Sequence, residues 1–137
     1  MKPIYALGII TIFVVVVGVL GYLLQSSPAG QGEVLSQNGL HWHARLTVRV
    51  AGETVEIPAN IGLGAVHNPM HTHDDEPGLI HMEFGGRVTK SDLTLQKFFD
   101  VWGKNFGTAT SMRVNGVENS EFERYRMQDS DVIEISY

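Results

Sequence analysis

The sequence predicts an α+β domain over residues 39–137, a small mixed or antiparallel sheet of hairpins with one packed helix, preceded by a membrane-spanning helix. Three observations carry this. Apolar and polar residues alternate strictly from Leu40 to Val50, the period of a half-buried strand. A single stripe at helical spacing runs through Leu95, Phe98, Phe99 and Trp102. Asn115-Gly116 follows the short run Thr110 to Val114, a strong hairpin signal, and the apolar alternation returns in Asp131 to Tyr137. Of the 137 residues, about 100 remain beyond the apolar N-terminus, enough for one core.

Ile4 to Leu24 is 21 residues without a charge, the length a helix needs to cross about 30 Å of hydrocarbon. Lys2 precedes it and no positive charge follows until Arg45, so residues 1–3 are expected in the cytoplasm and the domain outside it, single-pass in the cell membrane. Tyr5 and Tyr22 fall at the two interfaces. Ser27-Pro28-Ala29 is also a passable cleavage site, but the apolar run is longer than a signal core, and an uncleaved signal anchor is the reading. Residues 25–38, rich in Gly, Ser, Gln and Pro, are expected to form a flexible linker.

Along Leu40 to Val50, Trp42, Ala44, Leu46 and Val48 share one face and His41, His43, Arg45 and Thr47 the other. Ala51-Gly52-Glu53 is the expected turn and Thr54 to Ile57 the returning strand, ended by Pro58, which has no N–H for the ladder. Ala59 to Gly64 is a loop, and a short strand is expected over Leu79 to Phe84, with Leu79, His81 and Glu83 on one face. Thr94 or Ser91 suits the helix cap and Gly103 the left-handed stop.

All six histidines lie between His41 and His81. His41 and His43 are two apart on a strand and therefore project from one face; His71 and His73 repeat the spacing, and His81 arrives on another strand. Three or four of these five imidazoles converging on one ion is the expectation, with His67, Asp74 and Met70 as weaker members. Asp74, Asp75 or Glu83 would accept the second N–H of a ligating ring. There is no cysteine, so thiolate zinc, iron–sulfur and type 1 copper sites are excluded. The remaining donors take Cu(II) or Zn(II), and Met70 and Met82 beside the cluster tip the choice slightly to copper.

The net charge is −5, and beyond Lys2 the chain carries nine basic against fifteen acidic residues, which argues against a nucleic-acid partner. No serine or cysteine nucleophile pattern, phosphate-cradling glycine loop or dinucleotide fingerprint occurs. An enzymatic reading therefore rests on an open position in a three-histidine site. The expected class is a membrane-anchored, extracytoplasmic metal-binding protein, handling copper or zinc or serving as an accessory subunit of a membrane complex. Its partners would be the lipid bilayer through residues 4–24 and a membrane protein complex. The alternative class is a structural subunit in which the histidines fill a polar network, and clustered imidazoles also admit a pH sensor.

Two resemblances add to this. His41-Trp42-His43-Ala44-Arg45-Leu46, Ile57-Pro58-Ala59-Asn60-Ile61-Gly62, His71-Thr72-His73-Asp74 with Gly78-Leu79-Ile80-His81, and Gln96-Lys97-Phe98-Phe99-Asp100-Val101-Trp102-Gly103 resemble an uncharacterised group of membrane-anchored archaeal and bacterial proteins. Their pattern is H-x-H-A, I-P-A-N-I-G, H-T-H-D, G-x-I-H and a Q-F-F-D-x-W-G helix. The resemblance covers nearly all of residues 40–137 and implies a common site on His41, His43, His71, His73 and His81 without naming a reaction. The segment from Val114-Asn115-Gly116 to Asp131-Val132-Ile133 is similar to the close of a ubiquitin-like β-grasp domain.

Overall fold

The long alternating strand is the centre of the domain in the computed structural model, which describes residues 32–137. Strand β2 spans Leu40–Val50, and Ala44, Leu46 and Val48 are buried on one face as the alternation requires. Ala51 and Gly52 take positive φ (50° and 86°) in a tight turn, and β3 (Glu53–Val55) returns against the far end of β2. The rest of that edge of β2, Leu40 to Arg45, pairs antiparallel with β5 (Leu79–Phe84), and β4 (Met70–His71) adds outside β5. On the opposite edge β9 (Asp131–Ser136) runs parallel to β2, and β7 (Ser111–Val114) and β8 (Val117–Glu118) complete a seven-stranded mixed sheet.

Helix α1 (Leu95–Trp102) covers one face. Its Leu95, Phe98 and Phe99 join Leu46, Ile80, Met82, Met112, Ile133 and Ile135 in one buried cluster. Thr94 caps the start, accepting from the Lys97 N–H. Gly103, at φ 73°, ends the helix with N–H bonds from Gly103 to Asp100 and from Lys104 to Phe99. This is a Schellman stop, and it needs the left-handed residue that the sequence supplies there. The hairpin expected at Asn115-Gly116 forms, with φ of 53° and 81° at the turn. The α+β class therefore holds, with the sheet mixed because β2 and β9 are parallel.

Within the stretch expected as a flexible linker, residues 25–38, a strand forms, and residues 25–31 lie outside the described residues. Strand β1 (Val34–Ser36) pairs antiparallel with β6 (Val88–Thr89). Lys90 holds the segment twice, donating its N–H to the Glu33 carbonyl at 2.9 Å and pairing its ammonium with the Glu33 carboxylate. A Gly/Ser-rich composition says nothing about a partner strand more than fifty residues away, which is why this pairing was not legible. The membrane helix expected over residues 4–24 lies outside the described residues. Among residues 32–137 no helix is long and apolar enough to cross a membrane.

Candidate metal centre

The face of the sheet turned away from α1 carries the histidines, and strand register brings them together. In the antiparallel ladders His43 stands opposite His81, and His81 opposite His71, so three adjacent strands place three imidazoles in one row. One step along, His41 stands opposite Glu83. The intervening row, Trp42, Met82 and Met70, turns to the other face, where Met82 and Met70 are fully enclosed in the core. The core row thus fixes the histidine row, since a one-residue slip would exchange them.

The backbone around each ring is held by specific bonds. His43 is fastened to the turn before β9: its N–H donates to the Asp129 carboxylate at 2.9 Å, and its carbonyl accepts from Ser130 N–H at 2.7 Å. The pair His71 and His73 brackets Thr72, which is fully buried. Its hydroxyl donates to the Pro58 carbonyl at 2.8 Å and accepts from Ile61 N–H at 3.1 Å. Its carbonyl and N–H bond Asn60 and Ile61. The Ile57-to-Gly62 segment is therefore a clamp on the residue between two candidate ligands. His71 donates Nδ1–H to the Asn68 carbonyl at 3.1 Å, which leaves its Nε2 with the lone pair a metal requires.

Two groups of three result, His41/His43/His81 and His71/His73/His81, each with candidate ligand atoms within 4.8 Å of one another. In the outer group His41 Nε2 is 3.2 Å from His43 Nε2 and 3.1 Å from Glu83 Oε1. A tetrahedral ion with metal–nitrogen bonds of 2.0–2.1 Å separates its ligand atoms by about 3.4 Å, so these spacings fit one. In the inner group the His73 and His81 rings are 4.6 Å apart edge to face and the His71 and His81 rings 5.3 Å apart, stacked. His81 Nδ1 is buried without a hydrogen-bond partner; the nearest carboxylate oxygen, Glu83 Oε1, is 3.7 Å away, too long for one. Burial, then the facing His43, His73 and His71, push the His81 pKa below its ordinary value, and Glu83 opposes them.

Of the residues singled out in the sequence, His41, His43, His71, His73 and His81 come together. The weaker three do not join them. His67 and Asp74 are exposed and belong to neither group, and Met70 packs into the core because it alternates with His71 on β4. Glu83, expected as a hydrogen-bond acceptor behind a ring, stands 3.1 Å from His41 Nε2 and belongs to neither group. Its place two residues after His81 on a strand was the available signal. Thr72, Asn68 and Asp129 position the ligands through contacts no spacing announces. Comparison with family models, curated proteins and solved structures finds no match to this chain.

Proposed function

We propose that this chain is a membrane-anchored, extracytoplasmic protein that binds a transition-metal ion through the histidines of β2, β4 and β5 and the residue His73, serving metal handling or a metal-bearing subunit of a membrane complex. The observation that carries the reading is the convergence of five imidazoles from three strands and a following loop onto one patch, with His81 common to both groups. The polar-network alternative leaves a buried nitrogen of His81 unbonded, which an ion would satisfy. With Met70 and Met82 in the core the donors are imidazole and carboxylate, and Cu(II) binds such sites more tightly than Zn(II). The anchor over residues 4–24 is part of the same reading and rests on the uncharged 21-residue run. The parallel β2–β9 pair at the middle of the sheet, with α1 across one face, supports a β-grasp-like ancestry for the domain.

The test is elemental analysis of the full chain, purified in detergent without chelators, followed by separate Cu(II) and Zn(II) titrations. Near-stoichiometric metal is expected, with His81→Ala losing uptake while its circular dichroism keeps the native form. Absence of metal together with no uptake at micromolar concentration overturns the reading.

A further inference from the structure

We propose that the five histidines hold two ions rather than one, with the His81 imidazole bridging them. This deepens the metal-binding reading and rests on it.

The two groups share His81 and nothing else: His41 and His43 are absent from the inner group, His71 and His73 from the outer. The sheet enforces this, because β5 lies between β2 and β4 and His81 is the middle member of the row. An imidazole has two ring nitrogens whose lone-pair directions diverge, so a ring placed between two ligand groups can serve one ion on each side.

The hydrogen bonding of the rings favours the same arrangement. A histidine ligating one metal ordinarily donates its other N–H to a carboxylate or carbonyl. His71 follows that rule with the Asn68 carbonyl, whereas His81 does not: its Nδ1 is enclosed and has no acceptor within reach. That nitrogen lies on the Glu83 side of the ring, 3.7 Å from the oxygen that is itself 3.1 Å from His41 Nε2. The outer ion is thus assigned His41, His43 and His81 Nδ1, a set of three nitrogens with a fourth position left open. The inner ion takes His71, His73 and the remaining nitrogen of His81, with a position left open. Neutral imidazole carries one N–H; when both nitrogens bind metal that proton leaves to water, and no oxidant or reductant is involved.

The two sites differ in access. His41 is exposed, with 61% of its side chain accessible, and His71 is buried at 5%. The outer ion is accordingly the exchangeable one and the inner ion the retained one.

The experiment is a Cu(II) titration of the full chain in detergent, read by bound copper per chain and by low-temperature electron paramagnetic resonance spin counting. Two coppers per chain are expected, with the integrated spin well below the copper content because the shared ring couples the two unpaired electrons. His41→Ala, on an exposed side chain, should halve the copper and restore full spin on the ion that remains. Two coppers with full spin overturn the bridge, as does one copper per chain with full spin in the unsubstituted protein, and both leave metal binding intact. No bound copper overturns the underlying reading instead.

Discussion

His43 and His81 face each other across the antiparallel pair β2/β5, ring centroids 4.7 Å apart and planes at 85°. Neither would be placed there by its own strand. The contact exists because Trp42, Met82 and Met70, one residue along, bury on the α1 side and lock the register. Like charges on facing side chains destabilise a cross-strand pair, so positive charge accumulating in this histidine row is opposed unless an ion lies between the rings.

That condition sets the pH response of the metal-free protein. His81 has a folded-state pKa below its ordinary value of 6.5, so between the two the unfolded chain holds the extra proton. Stability then rises with pH across that interval, is complete above about 6.5, and is lost as the pH falls below it. Urea midpoints of the metal-free protein should fall as the pH drops through this window. In His81→Gln the part of that slope due to His81 should vanish.

Thr72 is expected to matter to both fold and ligand placement. Thr72→Val keeps the shape but removes the hydroxyl that bonds Pro58 and Ile61. The loss should be about 1–3 kcal/mol in urea unfolding. Because the clamp sets His71 and His73, metal affinity should fall about 10–100-fold in a competition titration. Thr72→Ser, which restores the hydroxyl, should recover most of both.

Gly62 closes the loop that leads to β4. Its φ is +75°, and a Cβ there would run into the Met70 carbonyl oxygen and sit 3.1 Å from Val101 Cγ1. Gly62→Ala should therefore destabilise by about 1–3 kcal/mol through backbone strain alone, with the clash adding to it. Gly52→Ala is the control, since at φ +86° it has the strain without a neighbour within 4 Å. The difference between their denaturation midpoints measures the clash.

Asp131 anchors the start of β9. Its carboxylate, 5% exposed, accepts from Tyr125 Oη at 2.7 Å, Asn115 Nδ2 at 2.9 Å and Gln128 N–H at 2.8 Å. Tyr125→Phe should lower stability by about 1–3 kcal/mol in urea unfolding, since it leaves a buried charged acceptor short of a donor. Burial, then the bond to Asp131, push the Tyr125 phenol well above its ordinary value of 10.0. The folded state thus favours the neutral phenol, and this stability is full below about pH 10 and lost as the pH rises above it. In an alkaline absorbance titration Tyr125 should ionise well above the ordinary tyrosine range, together with unfolding.

What the sequence by itself determined was everything governed by short periods and single-residue conformations. The alternation through β2 and β5 assigned each histidine to a face, Asn115-Gly116 and Gly103 marked a turn and a helix end, and the two His-x-His pairs with His81 named the candidate ligands. Tertiary structure alone decided the pairing of segments far apart in the chain. It set β9 parallel to β2, drew Glu33 and Val34–Ser36 into the domain, turned Met70 away from the histidines beside it, and made His81 the member shared by two groups. The reason is physical: side-chain direction within a strand follows from the local backbone, whereas the neighbour opposite each residue is selected by burial and hydrogen bonding summed over the whole sheet.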